Sequence, residues 1–457
     1  MNSTSPYFAF LRYCLGKKRN MSRVIAGMNW HELYSFASKQ ALLGLCFEGI
    51  ERLGKEYPEE LKQNPIGREL LMTWMGKAQQ IRRQNMKVNA VAGKLFSMLR
   101  EDGLRCCILK GQGNALMYLN PYSRTPGDID VWVNASREDI TKYAKHHFEI
   151  GDDIRFHHLE TSFDGVPVEL HFFPCTMNNP IHNARLQKWF KRNADLQCSN
   201  VVSLPDGIGE IAIPTTAFNV VYQLTHLYHH FFDEGIGMRQ IIDYFLVVND
   251  FSKNVFLDTD FSNHPVNFSN HPVPLSKEGS TFSPSPSSSG SGDVTALRCS
   301  EPLRSKVGGA SKPSPNCAGW DRLSIEGDNS AGSATAVTSS ASTALVVVQR
   351  ELKYLGLWKF AGAVMFVLKE VLGLSEDKMI VPVDEKRGRL LLAEILNGGN
   401  FGKHFTKYGG FTHQSMGKKY FLKIWRNMHF VRYYPAEALC EPIFRTWHFF
   451  WRMKNKK

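Results

Sequence analysis

The chain has 457 residues, 43% of them apolar and 12% aromatic, and its 55 Lys and Arg against 43 Asp and Glu give a formal net charge of +12. It is too long for one ordinary domain, apolar enough to bury a large core, and basic enough to favour an anionic partner such as a nucleotide, nucleic acid, acidic lipid or polyphosphate. Nine scattered cysteines without a CxxC pair argue against a disulfide framework or a cysteine-built zinc site, and the chain opens without a signal-peptide pattern, so a cytoplasmic protein is expected.

Residues 1–100 read as a helical region. "WHELYSFASKQALLGLCFEGIERL" and "MTWMGKAQQIRRQNMKVNAVAGKLFSMLREDG" carry apolar residues at three- and four-residue spacing, the second stopping at Gly103. Over 101–215 the period changes. "RCCILKG" predicts a short strand, "NALMYLN" one or two helical turns, "PYSRTPG" a loop, "DIDVWV" a strand and "REDITKYAKHHFE" a helix. "RFHHLETSF" and "VPVELHFFP" predict a hairpin turning on Asp164–Gly165. Together these segments predict an α+β fold with a small mixed sheet and helices on one side. Residues 216–250 return to helix, with a break at Gly235 and Gly237.

The block 251–345 holds the tandem "FSNHPVNFSNHPVP" and runs rich in Ser, Gly, Pro and Ala. It is too polar to offset its ordering entropy and is expected to be a disordered insertion, with His264 and His271 as solvated linker. A basic helical region, 346–457, follows. Its most apolar run, "LWKFAGAVMFVLKEVLGL", is broken by Lys359 and Lys369. The uncharged remainder is well short of the roughly 18 residues that span a bilayer, so no transmembrane segment is expected.

Asp128 and Asp130 stand two apart in "GDIDVWV". A strand turns both to one face with Trp132, and Ile129, Val131 and Val133 to the other. Carboxylates this close repel and lose solvation unless something positive sits between them. A hard divalent ion, Mg²⁺ or Mn²⁺, suits oxygen donors and borrows the rest of its shell from water and phosphate. Glu169 in "VPVELHF" is a third acid on a strand, sharing a face with His171 while Val168 and Leu170 face away. Three acids allow two ions about 3.5–4 Å apart. Upstream, Gly111 and Gly113 let backbone N–H groups approach a phosphate, and Lys110 and Arg124 add positive charge. Gly127 borders the acids and joins the same candidate nucleotide-binding set.

The order strand, glycine-rich turn, short helix, "GDIDVWV", then a hairpin with an acid on its second strand resembles the DNA-polymerase-beta-like nucleotidyltransferase superfamily. More closely, "LKG…YSRTPGDIDVWV…VELHFF…HLYHHFFDEGIGMRQIIDY" resembles the uncharacterised nucleotidyltransferases, from roughly residue 20 to 250 and again from about 346. The resemblance implies a nucleotidyltransferase-type sheet and metal-dependent transfer of a nucleoside monophosphate from a nucleoside triphosphate to an acceptor hydroxyl. It implies Asp128 and Asp130 as metal ligands and Glu169 as the third acid. The acceptor stays open: small molecule, protein or RNA. Gln112 stands where the wider superfamily carries a serine, which keeps a second function in view, a catalytically silent nucleotide- or partner-binding module on the same fold.

Several residues carry two readings. Arg239 follows "GIG" at a helix start and either meets a phosphate or pairs with Asp243 four residues on. Lys110 could cap a loop, and Arg124 could tie its loop to an acid. His226 and His230 share a helix face but lack an evident third zinc ligand, and read as packed histidines. The last 55 residues, 403–457, hold 12 Lys and Arg against 2 Glu among many aromatics. They suit RNA, peripheral contact with an anionic membrane, or a helical domain with its aromatics in the core.

Overall fold

The N-terminal third is helical because its apolar residues recur with the helical period. In the computed structural model, which describes residues 5–257, 333–405 and 415–455, helices α1 (Pro6–Cys14), α2 (Ser22–Ala26), α3 (Trp30–Lys39), α4 (Leu43–Glu56) and α5 (Pro58–Gln63) precede the 34-residue α6 (Arg68–Glu101). The single stretch expected from Trp30 onward is two helices. Ala41 takes φ 57 between α3 and α4, a left-handed conformation that an α-helix cannot continue through. α6 ends at the expected glycine, where Gly103 adopts φ 77 and Leu104 N–H bonds back to Leu99 O at 2.8 Å.

Strands β1 (Cys106–Leu109), β2 (Ile129–Val133), β3 (Ile150–Ile154), β4 (His158–Phe163) and β5 (Val166–His171) form one sheet in the order β1-β2-β5-β4-β3. The β2–β5 ladder is parallel and the other three are antiparallel. The β4–β5 hairpin turns on Asp164 (φ 47) and Gly165 (φ 69), the pair of positive values that a two-residue hairpin turn needs. The short α7 (Gly111–Ala115) and a 3-10 turn at Pro121–Ser123 separate β1 from β2, and α8 (Arg137–His147) follows β2. Then come α9 (Pro180–Ser199) and the antiparallel pair β6 (Val201–Ser203) and β7 (Glu210–Ala212). Neither β3, α9 nor the β6–β7 pair was anticipated from the sequence.

Both faces of the sheet are covered, where helices on one side were expected. Cys106, Ile108, Ile129, Val131, Val168 and Leu170 pack with α6 and α8. On the opposite face Cys107, Leu109 and Trp132 join Trp189 and Phe190 of α9 and Phe218 of α10 (Thr216–Asp233). The reason is in the strands: β1 is buried throughout and β2 places Trp132 opposite its valines, and a sheet apolar on both faces needs cover on both.

α10 passes through Gly235–Gly237 into α11 (Met238–Leu257), and the chain resumes with α12 (Ser333–Tyr354), α13 (Trp358–Leu372) and α14 (Glu385–Gly398). The insertion expected over 251–345 thus has helical edges, and its remainder, with His264 and His271, lies outside the described residues. α15 (Met416–Met428), α16 (Pro435–Ala438) and α17 (Glu441–Asn455) end the described chain. No helix among the described residues is long and apolar enough to cross a membrane. Many of the tail's aromatics lie outside the core: Phe421 is 71% exposed and Phe450 63%.

Gly44 of α4 lies against the loop that leads into Arg124, and a Cβ there would collide with the carbonyl oxygen of Ser123. Backbone yields less readily than a side chain. Gly44→Ala is therefore expected to destabilise the protein by about 1–3 kcal/mol, read as a lower urea midpoint; an unchanged midpoint would mean that the loop is not clamped by α4.

Candidate functional site

Strand register builds the acidic centre. Parallel pairing sets Asp130 beside Glu169 and Trp132 beside His171, and antiparallel pairing sets His158 beside His171 and Glu160 beside Glu169. Alternation then turns Asp130, Glu169 and His171 to one face. One ligating atom from each of these three lies within 4.8 Å of the others. His171 Nε2 is 3.1 Å from Asp130 Oδ1 and 3.2 Å from Glu169 Oε2. Lys110 Nζ is 2.9 Å from the same Asp130 oxygen and 3.1 Å from His226 Nε2. β2 begins at Ile129, so Asp128 stands just ahead of the strand, at the rim and outside that close group.

These charges adjust to one another. The charge of Asp130, followed by burial and the charge of Glu169, lifts Asp128 to about 6. Burial works against ionised Asp130, but Lys110 and the hydrogen bond with His171 hold it low. Burial pushes Glu169 up as well, and there too the hydrogen bond with His171 prevails. His171 sits at about 9, with burial outweighed by its hydrogen bonds to Asp130 and Glu169. An ammonium and an imidazolium therefore stand against two carboxylates.

Two cavities meet at this centre. One, about 290 Å³, is lined by Gly111, Thr125, Gly127, Arg239, Asn400 and Lys403, among others. The other, about 380 Å³, carries Glu169, His171 and a set of further histidines. Lys110, Asp128, Asp130, His226, Phe401 and Lys403 belong to both. Lys110 has φ 52 and Gly111 φ 26, so the chain turns sharply out of β1 directly beneath the acids. Gly113 is buried outside both cavities; a Cβ there would lie 3.0 Å from Ile213 Cγ2, and close packing accounts for the glycine. Gln112 is 2% exposed and also lines neither cavity.

Arg124 and Asp243 form a buried bidentate pair, Nε to Oδ1 at 2.9 Å and Nη2 to Oδ2 at 2.8 Å, and Tyr118 donates to Asp243 Oδ1 at 2.8 Å. Of the two readings of Arg124, a tie from loop to acid is thus what its guanidinium makes, although the residue still lines the smaller cavity. The helical Arg239–Asp243 hydrogen bond is not formed, because Arg124 has taken the carboxylate. Arg239 instead donates from Nη1 to Thr125 O at 2.9 Å, and its Nε is buried without a hydrogen-bond partner.

Residues missed by sequence reasoning line the larger cavity: His157 just before β4 and His158 at its start, and Phe401, Lys403, Arg445 and His448 from the C-terminal region. The repeated His-His dipeptides at 157–158 and 229–230 were the available signal; the basic, aromatic character of 403–457 gave the C-terminal residues only a regional one. His157, His158, His226, His229 and His230 are all held below the usual histidine range, burial being the largest cause, His158 and His230 at about 3.

Because Asp243 is 4% exposed, removing its partner strands a buried charge. Arg124→Ala is expected to cost about 3–5 kcal/mol of stability in denaturant unfolding, and Arg124→Lys to recover only part of it; a loss below 1 kcal/mol would show that the pair does not hold the loop.

The family model described as uncharacterised nucleotidyltransferase matches residues 26–261. No curated protein matches. A crystal structure of an antigenic nucleotidyltransferase-like protein from Paracoccidioides brasiliensis is 17% identical over 35% of this chain and 75% of that chain, with a TM-score of 0.24. The matched family segment spans the whole sheet and the helices α10 and α11 that face and flank the acids, and the chain belongs to the uncharacterised nucleotidyltransferase family.

Proposed function

We propose that the protein is a divalent-metal-dependent nucleotidyltransferase that moves a nucleoside monophosphate from a nucleoside triphosphate to an acceptor hydroxyl. The observation that carries this reading is the meeting of two cavities at Lys110, Asp128 and Asp130. The smaller cavity, with glycine backbone and the cations of Arg239 and Lys403, suits a triphosphate. The unpartnered Nε of buried Arg239 is a donor that a phosphate oxygen would satisfy. The larger cavity, holding Glu169, would take the acceptor.

The residues present fit a hard ion such as Mg²⁺ or Mn²⁺, since Asp128, Asp130 and Glu169 offer oxygens to a common opening. When bound, such an ion would polarise the α-phosphate and neutralise charge on the departing pyrophosphate. The chain's own groups do the rest. Glu169, held ionised by His171, would accept the hydroxyl proton as the acceptor oxygen bonds to the α-phosphorus and the bond to the β-phosphate oxygen breaks. Lys110 would balance phosphate charge from the floor of both cavities. Burial of Gln112 outside both means that the missing serine leaves the cleft walls unaltered, which weighs against a silent binding module.

The test is release of pyrophosphate from labelled triphosphates across an acceptor panel with Mg²⁺. Glu169→Gln is expected to lower turnover by about 10²–10⁴-fold while the circular dichroism spectrum holds. Turnover that survives Asp128→Ala/Asp130→Ala would sink the assignment. Mg²⁺-dependent triphosphate binding without pyrophosphate release from any acceptor would favour the silent module.

We also propose that the tail rests on an anionic membrane surface. Exposed Phe421, Trp425 and Met428 recur at helical spacing on α15, as do Ile443, Trp447 and Phe450 on α17. The two helices are joined by the Tyr420–Thr446 hydroxyl contact. Exposed Lys418 and Lys454 flank these aromatics. Such a mix suits a bilayer interface. Cosedimentation with phosphatidylserine vesicles, weakened by salt and lost in Phe421→Ser/Phe450→Ser, is the expected outcome. Binding to single-stranded RNA but not to vesicles would overturn it.

A further inference from the structure

We propose that His157, His158 and His171 form a nitrogen-donor site for a borderline divalent cation, zinc being the ion this chemistry favours. The site goes beyond the transfer reaction and would sit beside the oxygen-donor acids. One ring nitrogen from each of the three histidines lies within 4.8 Å of the others. A tetrahedral zinc with bonds of about 2.0–2.1 Å holds its ligands closer than that, so the rings would turn toward one another on binding. Three imidazoles with a fourth position open is an established zinc arrangement, whereas magnesium prefers oxygen donors.

The fold holds this cluster from two directions. His158 pairs across the β4–β5 ladder with His171, and their ring centroids are 5.0 Å apart. His157 stands just before β4, its carbonyl accepting from Phe172 N–H at 2.9 Å, and its ring lies 4.3 Å from that of His158 and 5.6 Å from that of His171.

The second observation is unmet hydrogen-bonding capacity. His158 is 4% exposed and His171 3%. Both ring nitrogens of His158 and the Nδ1 of His171 are buried without a hydrogen-bond partner. His158 Nδ1 does come within 3.2 Å of Glu169 Oε2, but not in hydrogen-bond geometry. Buried polar atoms are nearly always satisfied, so three orphaned imidazole nitrogens in adjacent rings need an explanation. One cation would account for two of the three, one on each ring. His171 would ligate through Nδ1, releasing that nitrogen's proton to solvent as the ion binds, while its Nε2–H stays on Asp130 and Glu169, the carboxylate–histidine–metal relay that fixes a ligand's tautomer and orientation. Glu169 would then border both sites.

The experiment is a zinc titration of the full-length, chelator-treated protein against a chromophoric competitor, with excess Mg²⁺ throughout. Wild-type protein is expected to hold one more zinc per chain than His157→Ala/His158→Ala, with at least a tenfold loss of affinity in His157→Gln alone. Equal stoichiometry in wild type and double variant would overturn the proposal. So would zinc lost in Asp130→Asn but kept in the histidine variants, which would place the ion on the carboxylates. Co²⁺ added to wild-type protein covers the case of a misfolded variant: intense visible d–d bands are expected from a tetrahedral nitrogen site, and weak octahedral bands alone would overturn it.

Discussion

Parallel pairing of β2 with β5 forces two carboxylates, Asp130 and Glu169, side by side on one face of a buried sheet. Like charges so placed are costly, and much of the surrounding structure compensates for them. Lys110 and His171 supply positive charge at hydrogen-bond distance. His226 in turn holds Lys110 from the facing helix. Asp130 faces both cavities and Glu169 the larger one, so this costly pair borders open space rather than a sealed core.

The loop that carries Arg124 into β2 is held from behind. Asp243 on α11 draws Arg124 inward, Asn85 on α6 donates to the carbonyls of Tyr122 and Arg124, and α4 closes on the same segment at Gly44. Arg239 is thereby left free of Asp243 and bonded to the loop carbonyl of Thr125. One carboxylate chosen by one arginine frees the other for the cavity. That competition explains why two arginines that look alike in the sequence do different work.

The C-terminal region completes the walls. The Asn400–Gly402 turn, which carries Phe401, packs against the Gly235–Gly237 break between α10 and α11, where a Cβ on Gly237 would lie 2.7 Å from Asn400 Cα. Glycine is needed there because one backbone crosses another, a reason stronger than helix termination. α17 adds Arg445 and His448 to the larger cavity. These residues lie beyond the span matched by the family model, whereas most of the larger cavity's lining lies within it.

Periodicity and residue chemistry were enough to read the helical flanks, β1, β2, the β4–β5 hairpin and the strand positions of Asp130 and Glu169, though not that Asp128 falls just outside its strand, because alternation, turn dipeptides and an acid in an apolar strand are local signals. The weakly patterned β3 and the three-residue β6 and β7 left no such trace. The same sequence pairs histidines at 157–158 and 229–230, but it does not say that the two pairs face one cavity. Only the packed structure decided that, along with the inward turn of Gly113 and Gln112, the capture of Asp243 by Arg124 and the arrival of Lys403. Each of these depends on which distant groups compete for one buried partner, and that competition is settled by three-dimensional proximity, which no local pattern encodes.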